Sequence, residues 1–320
     1  MNNKKRIAVI VLIALAIISN IYIFYNMKNE VIGKEAILLS IAVWGLTLYC
    51  GKNIETIFRV PLDIYRSRDM FWDLAQNDFQ SRFVGSIFGV FWAFVHPIIT
   101  MLLYWFVFQV GLRSGNVGEF PFILFLMSGL IPWFYFQEAF SGGTSSLLEY
   151  SYLVKKMVFN VGVLPVLKVF SAIFVHLFFV VFLLGVTCAY KIWPDLYTLQ
   201  IIYYVICTAF LVVGLSYFTA ACTVFFRDMT QIVTIILTIG TWITPIMWNA
   251  ENTLSGVLAM IFKLNPLYYI VDGFRDALLY KKWFWDKPVW TIYFWVVSIL
   301  VYVGGVKFFN KLKVHFSDVL

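Results

Sequence analysis

The side chains that most often do chemistry in proteins are few and scattered in this sequence. Its 320 residues include three histidines and four cysteines. His96 and His176 stand in apolar runs without a carboxylate neighbour, and Glu138 lies near the end of another such run. The cysteines are Cys50, Cys188, Cys207 and Cys222. Because they form no CxxC or Cys/His cluster and no carboxylates cluster near a histidine, we predict neither a metal site nor a catalytic acid and base.

Phosphate chemistry also lacks its usual motif. No GxxxxGKS or GxxxxGKT loop occurs, and the run GGTSS at 142–146 has neither a lysine nor a preceding strand. The chain is therefore not expected to hydrolyse ATP by itself. Its most compact charged feature is the pair Lys155 and Lys156, which follows Glu149 in a polar helix predicted over 146–156.

The elements that must position these groups are membrane helices. Hydrophobic residues make up 62% of the chain, charged residues make up 13%, and the mean hydropathy is +0.85. A soluble globule of this size cannot bury so much apolar surface. One helical crossing takes about 20 apolar residues. We predict eight crossings, at 7–25, 36–50, 87–110, 120–140, 163–190, 196–224, 231–248 and 288–308.

The distribution of Lys and Arg predicts the orientation of these crossings. Eight crossings put both termini on one side, and the segments on that side carry more Lys and Arg than the segments on the other side. The positive-inside rule assigns that side to the cytoplasm. The net charge of +7 is explained in the same way, because no basic cluster interleaved with aromatics indicates nucleic-acid binding.

An amphipathic helix is predicted between the second and third crossings. In the stretch RSRDMFWDLAQNDFQSRF, Phe71 and Phe79 fall on one helical face, with polar residues on the other. This pattern is typical of a helix that lies in the membrane interface, and we include Trp72 and Arg82 among its contact residues. The alternative is a soluble amphipathic helix that packs on a partner.

Seven segments of the chain resemble one family of membrane proteins. They are LAQNDFQSRFVGSIFGVFWAFVHPIITMLLYWFVF, SGLIPWFYFQEAF, LVKKMVF, FFRDMTQIV, TPIMW, NPLYYIVDGFRDALL and KVHFSDVL. In this order they resemble the permease subunits of type-2 ABC exporters, in particular those that export O-antigen, teichoic acid and capsular polysaccharide. The chain departs from the family at Phe159-Asn160, where Phe-Pro is usual, and in its N-terminal pair of crossings, which most relatives lack.

The resemblance implies a fold and a set of partners. The fold expected is all-α and polytopic: an N-terminal transmembrane hairpin (1–51), a cytoplasmic linker with the interface helix (52–84) and a type-2 ABC transporter domain (85–320). The partners expected are a second copy of this chain and two copies of an ATPase, which would bind ATP and Mg. The substrate expected is a lipid-linked polysaccharide in the bacterial cytoplasmic membrane.

The resemblance also implies how ATP hydrolysis is coupled to transport. A cytoplasmic loop of the family docks into a groove of the ATPase, and the matching residues are Glu149, Lys155 and Lys156, with the turn at Arg227 and Asp228 as a second contact. The alternative is that the two lysines only satisfy the positive-inside rule and contact lipid headgroups.

Aromatic residues make up 20% of the chain, and some of them are candidates for a sugar path. Aromatic rings pack on the apolar faces of sugars, while Tyr and Trp also form hydrogen bonds. The path residues predicted are Trp92, Tyr104, Trp105, Trp133, Tyr135 and Phe136. For each one alone, a place in a lipid-facing belt or in helix packing is the alternative.

The apolar stretch 254–279 is interrupted by Asn265-Pro266 and by Asp272, Arg275 and Asp276. The resemblance implies that this stretch is an outer gate. It is expected to form two short helices that enter the membrane partway from outside. The gate residues predicted are Asn265, Pro266, Tyr268, Tyr269, Arg275 and Asp276. The alternative is a surface loop in which Arg275 and Asp276 pair locally or stay solvated.

We therefore expect an ABC exporter subunit that moves a lipid-linked polysaccharide outward across the membrane. The rival within transport is a type-2 exporter of a small hydrophobic compound or drug. From another class, a membrane-embedded glycosyltransferase or acyltransferase would need the catalytic acid and base that the sequence lacks.

Overall fold

The computed structural model describes residues 3–26, 33–82, 84–113, 115–156, 160–249, 253 and 255–320, and they form an all-α protein, as predicted. The helices are α1 (Asn3–Asn26), α2 (Gly33–Lys52), α3 (Ile54–Arg66), α4 (Arg68–Ser81), α5 (Trp92–Trp105), α6 (Phe122–Glu149), α7 (Ser151–Lys156), α8 (Leu164–Ala189), α9 (Gln200–Phe225), α10 (Met229–Ile243), α11 (Gly256–Lys263), α12 (Pro266–Arg275), α13 (Pro288–Leu312) and α14 (Phe316–Val319). A 3₁₀ turn, Gly89–Phe91, precedes α5, and π-helical turns extend α5 to Gly111 and α12 to Tyr280.

Among the described residues, five helical stretches are long and apolar enough to cross a membrane, and each overlaps a predicted crossing. They are Gly89–Gly111, Phe122–Glu149, Val161–Ala189, Leu196–Phe225 and Pro288–Val319. Two further pairs pass the same test but are bent: Ala36–Lys52 with Ile54–Arg66 by 62°, and Gly256–Lys263 with Pro266–Tyr280 by 91°. The second pair is the one predicted at Asn265-Pro266.

The seventh predicted crossing, 231–248, is helical over only part of its length. Helix α10 has 15 residues, or roughly 23 Å at 1.5 Å per residue, which is shorter than the roughly 30 Å of hydrocarbon. Beyond Ile243 the chain continues without regular structure to Asn249. The helix therefore ends inside the bundle, where its last carbonyls need other partners.

Helix α6 is the centre of the bundle. It packs on α8, α9, α10 and α12. Of its most apolar 18 residues, 78% are buried, whereas only 6% are buried in the corresponding part of the stretch that contains α5. Small residues permit close helix approach. A Cβ on Gly143 would overlap the Ser216 side chain of α9, and one on Gly214 would lie 2.7 Å from the Tyr302 backbone of α13.

The bundle has two ends, which we name by the segments that meet there. The tail face contains 54–82, 150–156, 160–163, 226–228 and 313–320, where α14 contacts α7 and α9, and α3 contacts the 161–163 turn. The hairpin face contains 115–121, 190–199, 244–249 and 255–287. It is named after the bent pair of α11 and α12, which we call the re-entrant pair, and not after the predicted N-terminal hairpin.

The N-terminal helices lie beside α13. Helices α1 and α2 pack on each other through a small buried cluster that Ile292 of α13 joins. The Tyr22 hydroxyl donates a hydrogen bond to the Trp285 carbonyl at 3.1 Å. At the tail face, the Tyr302 hydroxyl donates to the Ile57 carbonyl of α3 at 3.3 Å.

Candidate translocation cavity

A cavity of about 800 Å³ lies between α5, α6, α8 and α10. Its wall is formed by Arg82, Trp92, Ala93, His96, Pro97, Thr100, Tyr104, Trp133, Phe134, Gln137, Glu138, Ser141, Gly142, Ser145, Glu149, Lys168, Val175, Thr238, Thr241 and Trp242. The lining combines aromatic rings with hydroxyl and amide groups, and its charged groups lie near one end. This end is nearest the tail face, because α4 belongs to that face and Glu149 is the last residue of α6.

Helix α6 supplies a polar stripe to the cavity. The stripe consists of Gln137, Glu138, Ser141 and Ser145, which recur at helical spacing and line the cavity. These four residues are less buried than most of α6. The stripe was a signal in the sequence, since polar residues three and four apart lie on one side of a helix. It was missed because the predicted path rested on aromatic residues alone.

Helices α5 and α10 supply hydroxyl groups from the other side. Thr100, Thr238 and Thr241 each donate a hydrogen bond of 2.9 Å to a carbonyl of their own helix. Each hydroxyl oxygen therefore keeps acceptor capacity for a ligand. The Tyr104 and Trp242 rings meet edge to face at 6.4 Å in the same wall.

The six predicted path aromatics separate into two groups. Trp92, Tyr104 and Trp133 line the cavity. Trp105, Tyr135 and Phe136 are not part of its wall as far as the structure describes it. Tyr135 is buried with its ring stacked on His176 at 4.6 Å, Phe136 is buried between Trp133 and Phe140, and Trp105 packs against the core. These three side chains therefore pack between helices, which was the alternative to a place in the sugar path.

An ionic network lies at the end of the cavity nearest the tail face. We call this network the charged mouth; it consists of Asp78, Arg82, Glu138, Glu149 and Lys168. Arg82 pairs with Asp78 at 2.9 Å and with Glu138. Lys168 pairs with Asp78 at 2.5 Å and with Glu149. The network therefore ties α4 to both α6 and α8.

Asp78 is the centre of the charged mouth. Its carboxylate also accepts hydrogen bonds from the Ser171 hydroxyl at 2.6 Å and from the Tyr150 hydroxyl at 2.8 Å. Burial by itself would raise the pKa of Asp78, but the hydrogen bonds from Lys168 and Ser171 outweigh it and lower the pKa below the ordinary value. Asp78 is therefore held as a carboxylate.

Asp78, Lys168 and Ser171 were missed in the sequence. Asp78 lies seven residues after Phe71, so it shares the apolar face of α4. A charged residue on an apolar helix face is unusual, and this position was the sequence feature that indicated a buried role for Asp78. Lys168 lies early in the apolar run of α8, inside the crossing predicted at 163–190. Their partners are about 70 to 90 residues away along the chain, and no periodicity reports such pairs.

The predicted interface helix packs on the protein itself. The Phe71 ring meets Phe170 of α8 at 5.4 Å, the Phe79 ring meets Phe174 at 5.6 Å, and Trp72 contacts both phenylalanines. Arg82 follows α4 and enters the charged mouth. The apolar face of α4 is thus covered by α8 rather than by a separate partner.

The predicted coupling residues are also divided. The helix predicted over 146–156 consists of the end of α6 and the short α7. Glu149 pairs with Lys168 in the charged mouth, and its side chain stays 48% exposed. Lys155 is exposed on α7, and Arg227 and Asp228 are exposed in the turn between α9 and α10. The Lys156 side chain is not among the described side chains.

The predicted gate residues form a buried joint at the hairpin face. Arg275 donates to the carbonyls of Pro245 at 2.9 Å and Ile246 at 2.7 Å, just beyond the end of α10. Its guanidinium also lies 3.5 Å from the centre of the Phe125 ring. Arg275 therefore supplies hydrogen-bond donors where the chain leaves α10, and it is buried rather than solvated.

The other gate residues hold the re-entrant pair to α9, α10 and α13. Asp276 is buried and pairs with Lys287, which also binds Asp272 at 2.6 Å. The surface-loop alternative is therefore wrong for Arg275 and Asp276, which are buried and bind different partners. The Asn265 side chain caps α12 by accepting a hydrogen bond from the Leu267 amide, and it donates a second one to the Thr244 hydroxyl. Pro266 is the first residue of α12. Tyr268 and Tyr269 are buried, and the Tyr269 ring stacks on Phe294.

Comparison with known proteins gives one family and three relatives with consistent names. The model of the ABC-2 type transporter family matches residues 70–279. The O-antigen export system permease protein RfbA of Myxococcus xanthus is 26% identical over 264 residues, which are 82% of this chain and 99% of that protein. Two proteins of the same name from Klebsiella pneumoniae are each 24% identical over 254 residues, or 79% of this chain and 95% of theirs. The family match spans the charged mouth, the cavity and the re-entrant pair, and this chain therefore belongs to the ABC-2 type transporter family.

Proposed function

We propose that this chain is the membrane subunit of an ATP-driven exporter that moves a lipid-linked polysaccharide of the O-antigen type outward across the bacterial cytoplasmic membrane. The observation that carries the proposal is the lining of the cavity. Its tryptophan and tyrosine rings match the apolar faces of sugars, and its hydroxyl and amide groups match their hydroxyl edges. The names of the three relatives agree with this substrate class.

The hydroxyl and amide groups of the wall favour a sugar polymer over a small hydrophobic compound. Gln137, Thr238 and Thr241 line the cavity. Sugar hydroxyls can form hydrogen bonds with these groups, whereas an apolar drug would leave them unpaired. Many weak contacts of this kind also let a long chain slide without being trapped.

The partners proposed are those of the family. The tail face would lie in the cytoplasm with both termini, and the exposed Lys155, Arg227 and Asp228 would contact the ATPase, with Lys156 beside them. The ATPase, in two copies, would bind ATP and Mg. A second copy of this chain would cover the open side of the cavity, where the stretch containing α5 is little buried. The hairpin 1–51, the linker 52–84 and the transporter domain 85–320 remain the proposed division of the chain.

The test compares two pairs of threonines on the same helix. Thr238→Val with Thr241→Val removes two hydroxyl groups from the cavity, whereas Thr230→Val with Thr234→Val removes two that do not line it. All four hydroxyls donate to carbonyls of the preceding turn, so effects on helix stability are matched. Losing two hydrogen bonds of about 1 kcal/mol each predicts a loss of surface polysaccharide on the order of tenfold in the cavity pair alone.

The measurement is surface polysaccharide per cell in a strain that lacks the chromosomal copy, at equal membrane levels of each variant. Equal export by both pairs would remove the cavity from the path. Unchanged polysaccharide in the deletion strain, with loss of resistance to a hydrophobic drug, would replace the polymer with the small-compound rival.

A further inference from the structure

The charges around the cavity are unevenly balanced. The charged mouth holds three carboxylates and two cations, and each cation is bound to two of those carboxylates. The Lys168 side chain is only 6% exposed. A ligand entering here therefore meets no unpaired Lys or Arg among the described lining residues.

The rest of the wall adds no positive charge. The sequence contains no Lys or Arg in 89–111, 122–149 or 229–243, which include α5, α6 and α10. The nearest buried cation at the hairpin face, Arg275, uses its terminal nitrogens on two backbone carbonyls. A symmetric second copy would bring the same lining with the same sign of charge.

The chemistry of the substrate follows from this balance. Pores that conduct anions or phosphates are lined by rings of Arg or Lys, because an anion that leaves water needs compensating charge. This cavity offers hydroxyl, amide and aromatic groups instead, and its mouth repels anions. Resting on the proposed function, we propose that the exported polymer is a glycan without anionic groups in its repeat, and that phosphate-rich polymers such as teichoic acids are poor substrates.

A phosphate in the lipid carrier does not contradict this selectivity. It occurs once for each polymer and can stay at the level of the lipid headgroups. Charges in the repeat must instead pass through the cavity at every step of transport. The selection therefore acts on the repeating unit.

The test supplies one host with two polymers in turn. The host lacks its own export permease and carries this chain with its ATPase. It makes either a mannose homopolymer or a mannose polymer with a phosphodiester in each repeat, on the same lipid carrier. We expect the neutral polymer at the cell surface and the phosphodiester polymer at a level lower by a factor on the order of ten or more, with the remainder retained inside the cell.

Two substitutions at Gln137 separate the effect of charge from the effect of side-chain size. Gln137→Lys places a cation in the cavity at nearly constant size, and Gln137→Met is the uncharged control. The ratio of phosphodiester to neutral polymer at the surface should rise several-fold in the lysine variant and stay at the wild-type value in the methionine variant. A fault in folding would lower both polymers and leave the ratio unchanged.

The outcomes separate this inference from the function it rests on. Equal export of both polymers by the wild-type protein, or better export of the phosphodiester polymer, would overturn the charge selectivity and leave polysaccharide export standing. A Gln137→Lys ratio equal to that of the wild type, with the neutral polymer still exported at the wild-type level, would also overturn it. Export of neither polymer would overturn the proposed function, and the inference with it.

Discussion

Asp78 connects three helices through one carboxylate. It is 2% exposed and accepts hydrogen bonds or ion pairs from Lys168, Ser171, Tyr150 and Arg82. These partners come from α8, the end of α6 and the residue after α4. Without this carboxylate, Lys168 and Arg82 would each keep one acidic partner, whereas the Ser171 and Tyr150 hydroxyls would lose their ionised acceptor.

The first prediction concerns this carboxylate. Asp78→Asn leaves Lys168 and Arg82 with one carboxylate each and weakens the hydrogen bonds that Ser171 and Tyr150 donate. It should therefore destabilise the protein by about 1–3 kcal/mol near neutral pH. Because the folded state lowers the pKa of Asp78, its contribution is present above the ordinary pKa of about 3.9 and is lost as pH falls through the folded value. The gap in Tm between wild type and variant should therefore narrow below about pH 4.

Thermal unfolding of the purified protein in detergent, measured across pH, checks this expectation. Asp73→Asn is the matched control, since Asp73 lies on the same helix and is exposed; it should shift Tm little at any pH. Equal Tm values for Asp78→Asn and wild type at pH 7 would show that the network adds nothing to stability.

The limits of sequence reasoning are clear for the aromatic residues of α6. Trp133 lines the cavity, whereas Tyr135 and Phe136, two and three residues later, are buried in the bundle. Because an α-helix has 3.6 residues per turn, side chains two or three residues apart point in different directions. Because α6 is apolar nearly all round, hydropathy alone could not indicate which side faces a cavity, and the polar stripe of Gln137 and Ser141 held that information.

At the scale of elements, α9 and α13 are in close backbone contact. Gly214 and Gly305 face each other there, and a Cβ on Gly305 would overlap the Gly214 carbonyl oxygen. Backbone atoms cannot give way as the end of a side chain can, so the two helices would have to separate. The neighbouring Gly304 has open space, with no atom within 4 Å of its Cβ position.

The second prediction uses these adjacent glycines. Gly305→Ala should destabilise the protein by about 1–3 kcal/mol through overpacking. Gly304→Ala should instead be neutral or stabilising by up to about 1 kcal/mol, because alanine favours the helix. The midpoint of thermal unfolding and the yield of folded protein in membranes measure the difference. Similar losses in both variants would mean that helix α13 is not held so closely to α9.

Another contact between elements involves the residue that departs from the family pattern. The Asn160 amide donates to Asp63 of α3 at 2.8 Å, and its carbonyl oxygen accepts from Lys313 at 3.0 Å. The proline usual in the family has no side-chain donor or acceptor. The asparagine therefore ties the turn before α8 to α3, which continues the N-terminal helices; the sequence showed the departure but not these partners.

The whole molecule has an orientation that remains a proposal, and it gives the third prediction. In a variant whose four native cysteines are replaced, a single cysteine at Asn116 on the hairpin face should react with an impermeant maleimide in intact cells. A cysteine at Asp228 on the tail face should react only after lysis. Both positions are exposed, so differences in burial do not explain the contrast, and the reverse pattern would invert the topology.

Much of the molecular architecture could be predicted because it depends on local sequence. Long apolar runs indicated the five long spans, and Asn265-Pro266 indicated the break in the re-entrant pair. The end of α10 at Ile243 was not predicted, since the apolar run continues to Trp248. That helix ends where Arg275 binds the following carbonyls, a contact between residues about 30 positions apart that hydropathy does not report.

The buried joint around Arg275 also sets an order of assembly during synthesis. Chains are made from the N-terminus, and their domains fold in that order. The re-entrant pair needs Gly129 of α6, whose missing side chain leaves room for the Arg275 guanidinium, and Tyr204 of α9, which packs against Gly273. It also needs Lys287, which is translated later and neutralises Asp272 and Asp276. A nascent chain that stops just after α12 thus carries two carboxylates without their ammonium partner, so the hairpin face is completed only when the ribosome has passed Lys287.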